Sequence, residues 1–134
     1  MKLNTLLIAT SVLVATLFAG SAMADTCKDV NISVKNDGKK EIKVKSMTFE
    51  AKVDNKKRSE GLPNKTVAPG KTTNFGKHNL KGIKGYNMKY ITVTYQVKCG
   101  GKWSKSKTQK DSKFQKAKCV NGGNYKIKVT NTGC

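Results

Sequence analysis

Residues 89–99, KYITVTYQVKC, alternate without a break: Ile91, Val93, Tyr95, Val97 and Cys99 share one parity, and Tyr90, Thr92, Thr94, Gln96 and Lys98 share the other. Successive side chains of an extended chain point to opposite faces, so this stretch reads as a strand with one apolar and one polar face. Such a strand needs neighbours for its backbone groups and a second layer over its apolar face.

The rest of the chain supplies similar pieces. VNISVKN (30–36) places Val30, Ile32 and Val34 on one face and ends in a turn at Asn36-Asp37-Gly38. In KEIKVKSMTFEAKV (40–53) the apolar parity changes from Ile42 and Val44 to Met47, Phe49 and Ala51, which predicts a bulge or bend near Lys45-Ser46. DNKKRSEGLPNK (54–65) reads as an exposed loop. TVAPGKTTNFG (66–76) reads as a turn at Pro69-Gly70 followed by a short strand, and residues 77–88 read as loop. Gly100-Gly101 signals a tight hairpin into KWSKSKTQ (102–109). Residues 110–119 read as a linker, or as one helical turn started by Asp111. NYKIKVTNTGC (124–134) closes the chain with Tyr125, Ile127 and Val129 inward.

These patterns predict an all-β fold, a small antiparallel β-sandwich of about six to seven strands. The layout N-x-S-x-K-N-D-G, then V-A-P-G-K-T, then Y-x-T-V-T-Y resembles immunoglobulin-like exported bacterial domains. The resemblance is architectural, covers most of residues 25–134, and implies two packed sheets without naming a family.

Residues 1–24 have the form of a bacterial secretory leader: Lys2, an apolar run from Leu6 to Leu17, and Ala22-Met23-Ala24 as a cleavage pattern. Export to the periplasm or beyond follows, with residues 25–134 as a single domain. All four cysteines (Cys27, Cys99, Cys119 and Cys134) lie in that part, so two disulfides are expected. If the first and last strands run antiparallel, Cys27–Cys134 and Cys99–Cys119 are the favoured pairs. If they run parallel, Cys27 lies nearer Cys119.

Charge sets the class of partner. The chain carries 27 Lys+Arg against 8 Asp+Glu, a formal +19, and loss of Lys2 with the leader leaves +18. Self-repulsion at that charge opposes folding, which the disulfides offset. Arg58 is the only arginine. Lysine lacks the planar fork that reads guanine bidentately, so sequence-specific nucleic-acid reading is not expected.

Catalytic parts are scarce. His78 is the single histidine and reads as a solvent-exposed loop residue. No G-x-S-x-G or phosphate-loop pattern occurs, because Gly70-Lys71-Thr72 lacks the required upstream glycine. The acids Glu41, Glu50, Asp54, Glu60 and Asp111 each have a lysine or arginine within two positions, which suits charge compensation better than acid catalysis. No cofactor and no metal site are expected.

The densest basic segment starts at CGGKWSKSKTQK (99–110). A regular hairpin pairs Cys99 with Lys102, Lys98 with Trp103, Gln96 with Lys105 and Thr94 with Lys107. Trp103, Lys105 and Lys107 then share the outer face with Lys98, whereas a one-residue bulge at Gly100-Gly101 would turn Trp103 into the core. Lys102, Lys110, Lys113, Lys116 and Lys118 extend the cluster. An aromatic ring among lysines suits a phosphate- or sulfate-bearing polymer, the ring stacking on a base or sugar. Lysines on outer strand faces also serve simply to prevent aggregation. The expected function is an exported, non-enzymatic domain binding an anionic polymer or surface: lipopolysaccharide, anionic lipid, extracellular nucleic acid or acidic polysaccharide. The competing expectations are a β-sandwich subunit with a protein partner, an acidic one for instance, and a small membrane-active toxin.

Overall fold

The computed structural model describes residues 25–111 and 118–134. Residues 1–24, the expected leader, and residues 112–117, with Lys113, Lys116 and most of the expected linker, lie outside the described residues. Eight strands run in order: β1 (Cys27–Asn36), β2 (Ile42–Ala51), β3 (Lys57–Val67), β4 (Thr72–Leu80), β5 (Met88–Cys99), β6 (Lys102–Trp103), β7 (Lys107–Asp111) and β8 (Asn124–Val129). A three-stranded sheet, β4-β1-β8, faces a five-stranded sheet in which β3, β2 and β5 are followed by β6 and β7, both paired to β5. The fold is an all-β sandwich. Among the described residues no helix is long and apolar enough to cross a membrane.

The alternating strands bury the parity the sequence marks. Val30, Ile32 and Val34 from one sheet meet Ile91, Val93, Tyr95 and Val97 from the other, all with 0 % exposure. The β2–β5 register jumps from Val44↔Tyr95 to Ser46↔Thr94, leaving Lys45 as the extra residue. That bulge lets Ile42 and Val44 on one side of it and Met47 and Phe49 on the other all face the core.

Two elements differ from expectation. The stretch read as an exposed loop is β3, an edge strand along β2. Of its eleven residues only Leu62 and Val67 are buried, so it carries no alternation, and an edge position tolerates Pro63. β4 continues past residue 76 to Leu80, whose buried side chain anchors the stretch read as loop.

β1 and β8 pair in parallel, Asn31↔Asn124 through Asn36↔Val129. The antiparallel premise therefore fails, and with it the favoured cysteine pairing. Cys27 opens β1 and Cys119 lies just ahead of β8, so the two meet at one end of the sheet as Cys27–Cys119, 6.1 Å between Cα atoms. Cys99, at the end of β5, takes Cys134 from the tail at 5.9 Å.

Side chains lace both open sides of the sandwich. On one side Gln109 of β7 accepts from the Thr130 and Asn131 amides (2.8 and 3.1 Å) and Asp111 accepts from the Lys128 amide at 3.3 Å. On the other, Lys65 of β3 donates to the Asn74 carbonyl at 3.0 Å. Such side-chain contacts occupy edge backbone groups that a further strand would need.

Gly38, in the β1–β2 turn, packs against Thr132: a β-carbon there would lie 2.2 Å from its Cγ2 and 2.8 Å from its Cβ. Thr132 Oγ1 accepts from the Lys39 amide at 3.0 Å. Gly38→Ala should therefore displace the tail from this turn and cost about 1–3 kcal/mol, the usual range for overpacking, read as a lowered urea midpoint.

Candidate functional site

The candidate site grows from the β5–β6 hairpin. Gly100 and Gly101 have φ of 56° and 78°. Both central residues are thus left-handed, as a type I′ turn requires and as glycine permits. The turn sets Lys98↔Trp103 and Cys99↔Lys102 in the expected register, so Trp103 follows Lys98 to the outer face.

The register then slips. Ser104 donates its amide to the Val97 carbonyl (2.8 Å), and its Oγ accepts from the Val97 amide (3.0 Å). From Trp103 to Lys107 the chain advances four residues while β5 advances three, from Lys98 to Tyr95, so β7 resumes one residue out of step at Tyr95↔Lys107 and Thr94↔Thr108. The expected pairs Gln96–Lys105 and Thr94–Lys107 are corrected accordingly. Lys107 is half-buried on the parity of core residue Tyr95, and Lys105 is exposed in the slip itself. Lys110, opposite Thr92, joins the outer face instead.

Rings seat ammonium groups on that face. Lys43 Nζ lies 4.3 Å from the centre of the half-buried Trp103 ring, and Lys98 Nζ lies 5.9 Å from it. Lys110 Nζ lies 4.0 Å from the centre of Tyr90, near the other end of β5. Trp103 thus holds cations on its π surface, in place of the open stacking platform expected. Lys98 also meets Glu41 at 3.2 Å. Lys102 is exposed on the opposite parity, and Lys118 is exposed at a bridge to Asn87. Sequence reasoning missed Lys43, which sits opposite Gln96 on β2. Its outward parity is readable from residues 40–53, but its nearness to Trp103 depends on how β2 aligns with β5.

Two acids at the β2–β3 end of this sheet, Glu50 and Asp54, are committed to partners. Glu50, 4 % exposed, accepts from the Tyr90 hydroxyl and from Lys89 Nζ at 3.0 Å. The Tyr90 hydrogen bond first, then Lys89, holds the Glu50 carboxyl below its ordinary range, and the same bond raises Tyr90. Asp54 receives both Arg58 terminal nitrogens, at 2.6 and 3.2 Å. The guanidinium, followed by the Lys56 amide, brings its carboxyl down to about 2. A carboxylate whose folded pKa is depressed stabilises the fold above its unfolded pKa and loses that contribution as pH falls. For Asp54 the window runs from an unfolded value of about 3.9 down to about 2. Stability should therefore drop as pH falls through this window, and Asp54→Asn should flatten that drop, as read by urea unfolding at stepped pH.

His78 is not a solvent-exposed loop residue. It lies on β4 with a 10 % exposed side chain, Nδ1 3.0 Å from Glu60 Oε1 and Nε2 3.0 Å from the Phe75 carbonyl. It ties β4 to β3.

No protein-family model and no curated protein sequence matches this chain.

Proposed function

We propose that this protein is an exported, non-catalytic domain that binds a linear anionic polymer along the outer face of the five-stranded sheet. The observation that carries the reading is the seating of Lys43 and Lys98 on Trp103 and of Lys110 on Tyr90. A free lysine loses about 1.5–2 kcal/mol of side-chain entropy when fixed. A ring that already holds the ammonium group lowers that cost at binding. Between the two rings, Thr92, Thr94 and Gln96 offer small polar contacts. The two disulfides suit an oxidising compartment, periplasmic or extracellular.

The test is binding of the purified, oxidised protein to heparin, double-stranded DNA, lipopolysaccharide and anionic phosphatidylglycerol vesicles across a salt series. A polymer ligand should bind at physiological salt, its affinity falling log-linearly with salt as lysines release counterions. Trp103→Ala and Lys43→Ala should each weaken it about two- to thirtyfold, from the roughly 0.5–2 kcal/mol of a cation–π contact. Equal, weak binding of every polymer that ignores both substitutions refutes the proposal. Preference for vesicles over all polymers reassigns the face to a membrane.

A further inference from the structure

We infer that the outer face of the three-stranded sheet is a second polyanion-binding surface, so that one molecule bridges two polymer chains. The inference rests on the reading above but on different residues. Across this sheet the register sets Thr72, Lys35 and Lys128 in one row. The next row is Asn74, Ser33 and Lys126, and the third is Lys77, Asn31 and Asn124. All these side chains have the outward parity, while Val34, Ile127 and Tyr125 face the core.

Lys35 is paired with Asp37 at 2.7 Å. Lys77, Lys126 and Lys128 form no ion pair among the described residues. Lys35 and Lys128 are register neighbours on adjacent strands; Asp37 compensates Lys35, and a bound anion would compensate Lys128. Between the lysines lie short polar side chains, with Asn31 Nδ2 donating to Asn124 Oδ1 at 2.9 Å. They leave a low floor of amides and hydroxyls on which a phosphate or sulfate chain can lie close to the ammonium groups.

The outer faces of a sandwich point in opposite directions, separated by two sheets packed about 10 Å apart. A stiff polymer segment on one face cannot reach the other, and a flat lipid surface contacts only one. Two basic faces therefore match two segments of a polymer, and the protein becomes a cross-link whose strength comes from multivalency.

The experiment is titration of the oxidised protein with long-chain heparin, followed by light scattering for cross-linked particles. The fluorescence of Trp103, the only tryptophan, reports the first face in the same samples. Wild-type protein should form particles below saturation that dissolve in excess heparin. Lys77→Gln/Lys126→Gln/Lys128→Gln should reduce scattering at least tenfold and leave the Trp103 response to a short heparin oligosaccharide within about twofold. Those ratios follow from the affinity arithmetic for losing one of two faces. The charge-matched turn variant Lys52→Gln/Lys56→Gln/Lys81→Gln should still form particles. Equal loss in both triple variants, or full retention in the first, overturns the second face. Heparin binding without particles in wild-type protein overturns it too and leaves the first face standing. Absence of any heparin binding overturns both.

Discussion

Cys27→Ala/Cys119→Ala is expected to lower stability by about 4–5 kcal/mol, from the chain entropy of closing so long a loop. The bridged cysteines are 92 residues apart. A small domain has only about 5–15 kcal/mol in total, and this one folds against a formal charge of +19. Both sulfurs are also fully buried, so their removal takes packing as well. The Cys99–Cys134 bridge spans 35 residues, and Cys134 is exposed. Its removal should cost less, about 3–4 kcal/mol by the same reasoning, because Tyr95 still donates its hydroxyl to the Asn131 carbonyl at 2.5 Å and keeps the tail docked. Urea unfolding followed by Trp103 fluorescence and far-ultraviolet dichroism ranks the two. A Cys27→Ala/Cys119→Ala variant within 1 kcal/mol of wild type would show that the parallel β1–β8 pairing holds the ends without the bridge.

Asn36→Ala should cost about 2–4 kcal/mol, the sum expected when several buried polar groups lose a partner together. Asn36 ends β1 with 0 % exposure. Its Nδ2 donates to the Lys40 carbonyl at 2.7 Å and to the Val67 carbonyl at 2.9 Å, while its Oδ1 accepts from the Gly38 amide at 2.9 Å. One side chain thus joins the β1–β2 turn to the end of β3, in the other sheet. Asn36→Asp keeps the acceptor but sets a carboxylate oxygen against two carbonyls. It should be at least as damaging, whereas a mere space-filling role would make Asp the milder change. Urea midpoints of the two variants separate these accounts.

The fold class was legible because alternation is local. Ile91 to Val97, Val30 to Val34 and Tyr125 to Val129 each declare their buried face without reference to any other strand. The bulge at Lys45 was legible for the same reason, since the parity change lies within one stretch. β3 was not legible: an edge strand exposed along most of its length has no face to declare.

The site divides in the same way. The hairpin turn follows from Gly100-Gly101, a purely local signal, while Trp103 points outward because the turn keeps the regular Lys98↔Trp103 register. The slip at Ser104, which turns Lys107 inward and Lys110 outward, depends on a side-chain hydrogen bond to the neighbouring strand. Lys43 reaches Trp103 only because β2 lies beside β5.

The sequence by itself determined an all-β chain with two disulfides, a strongly basic surface and a tryptophan held among lysines. Tertiary structure alone decided which cysteines join, which lysines share a face with that tryptophan, and that a second lysine face lies on the opposite sheet. Periodicity tells each strand which side to bury. Neighbours, direction and register are decided only when two apolar faces meet and β1 settles parallel to β8.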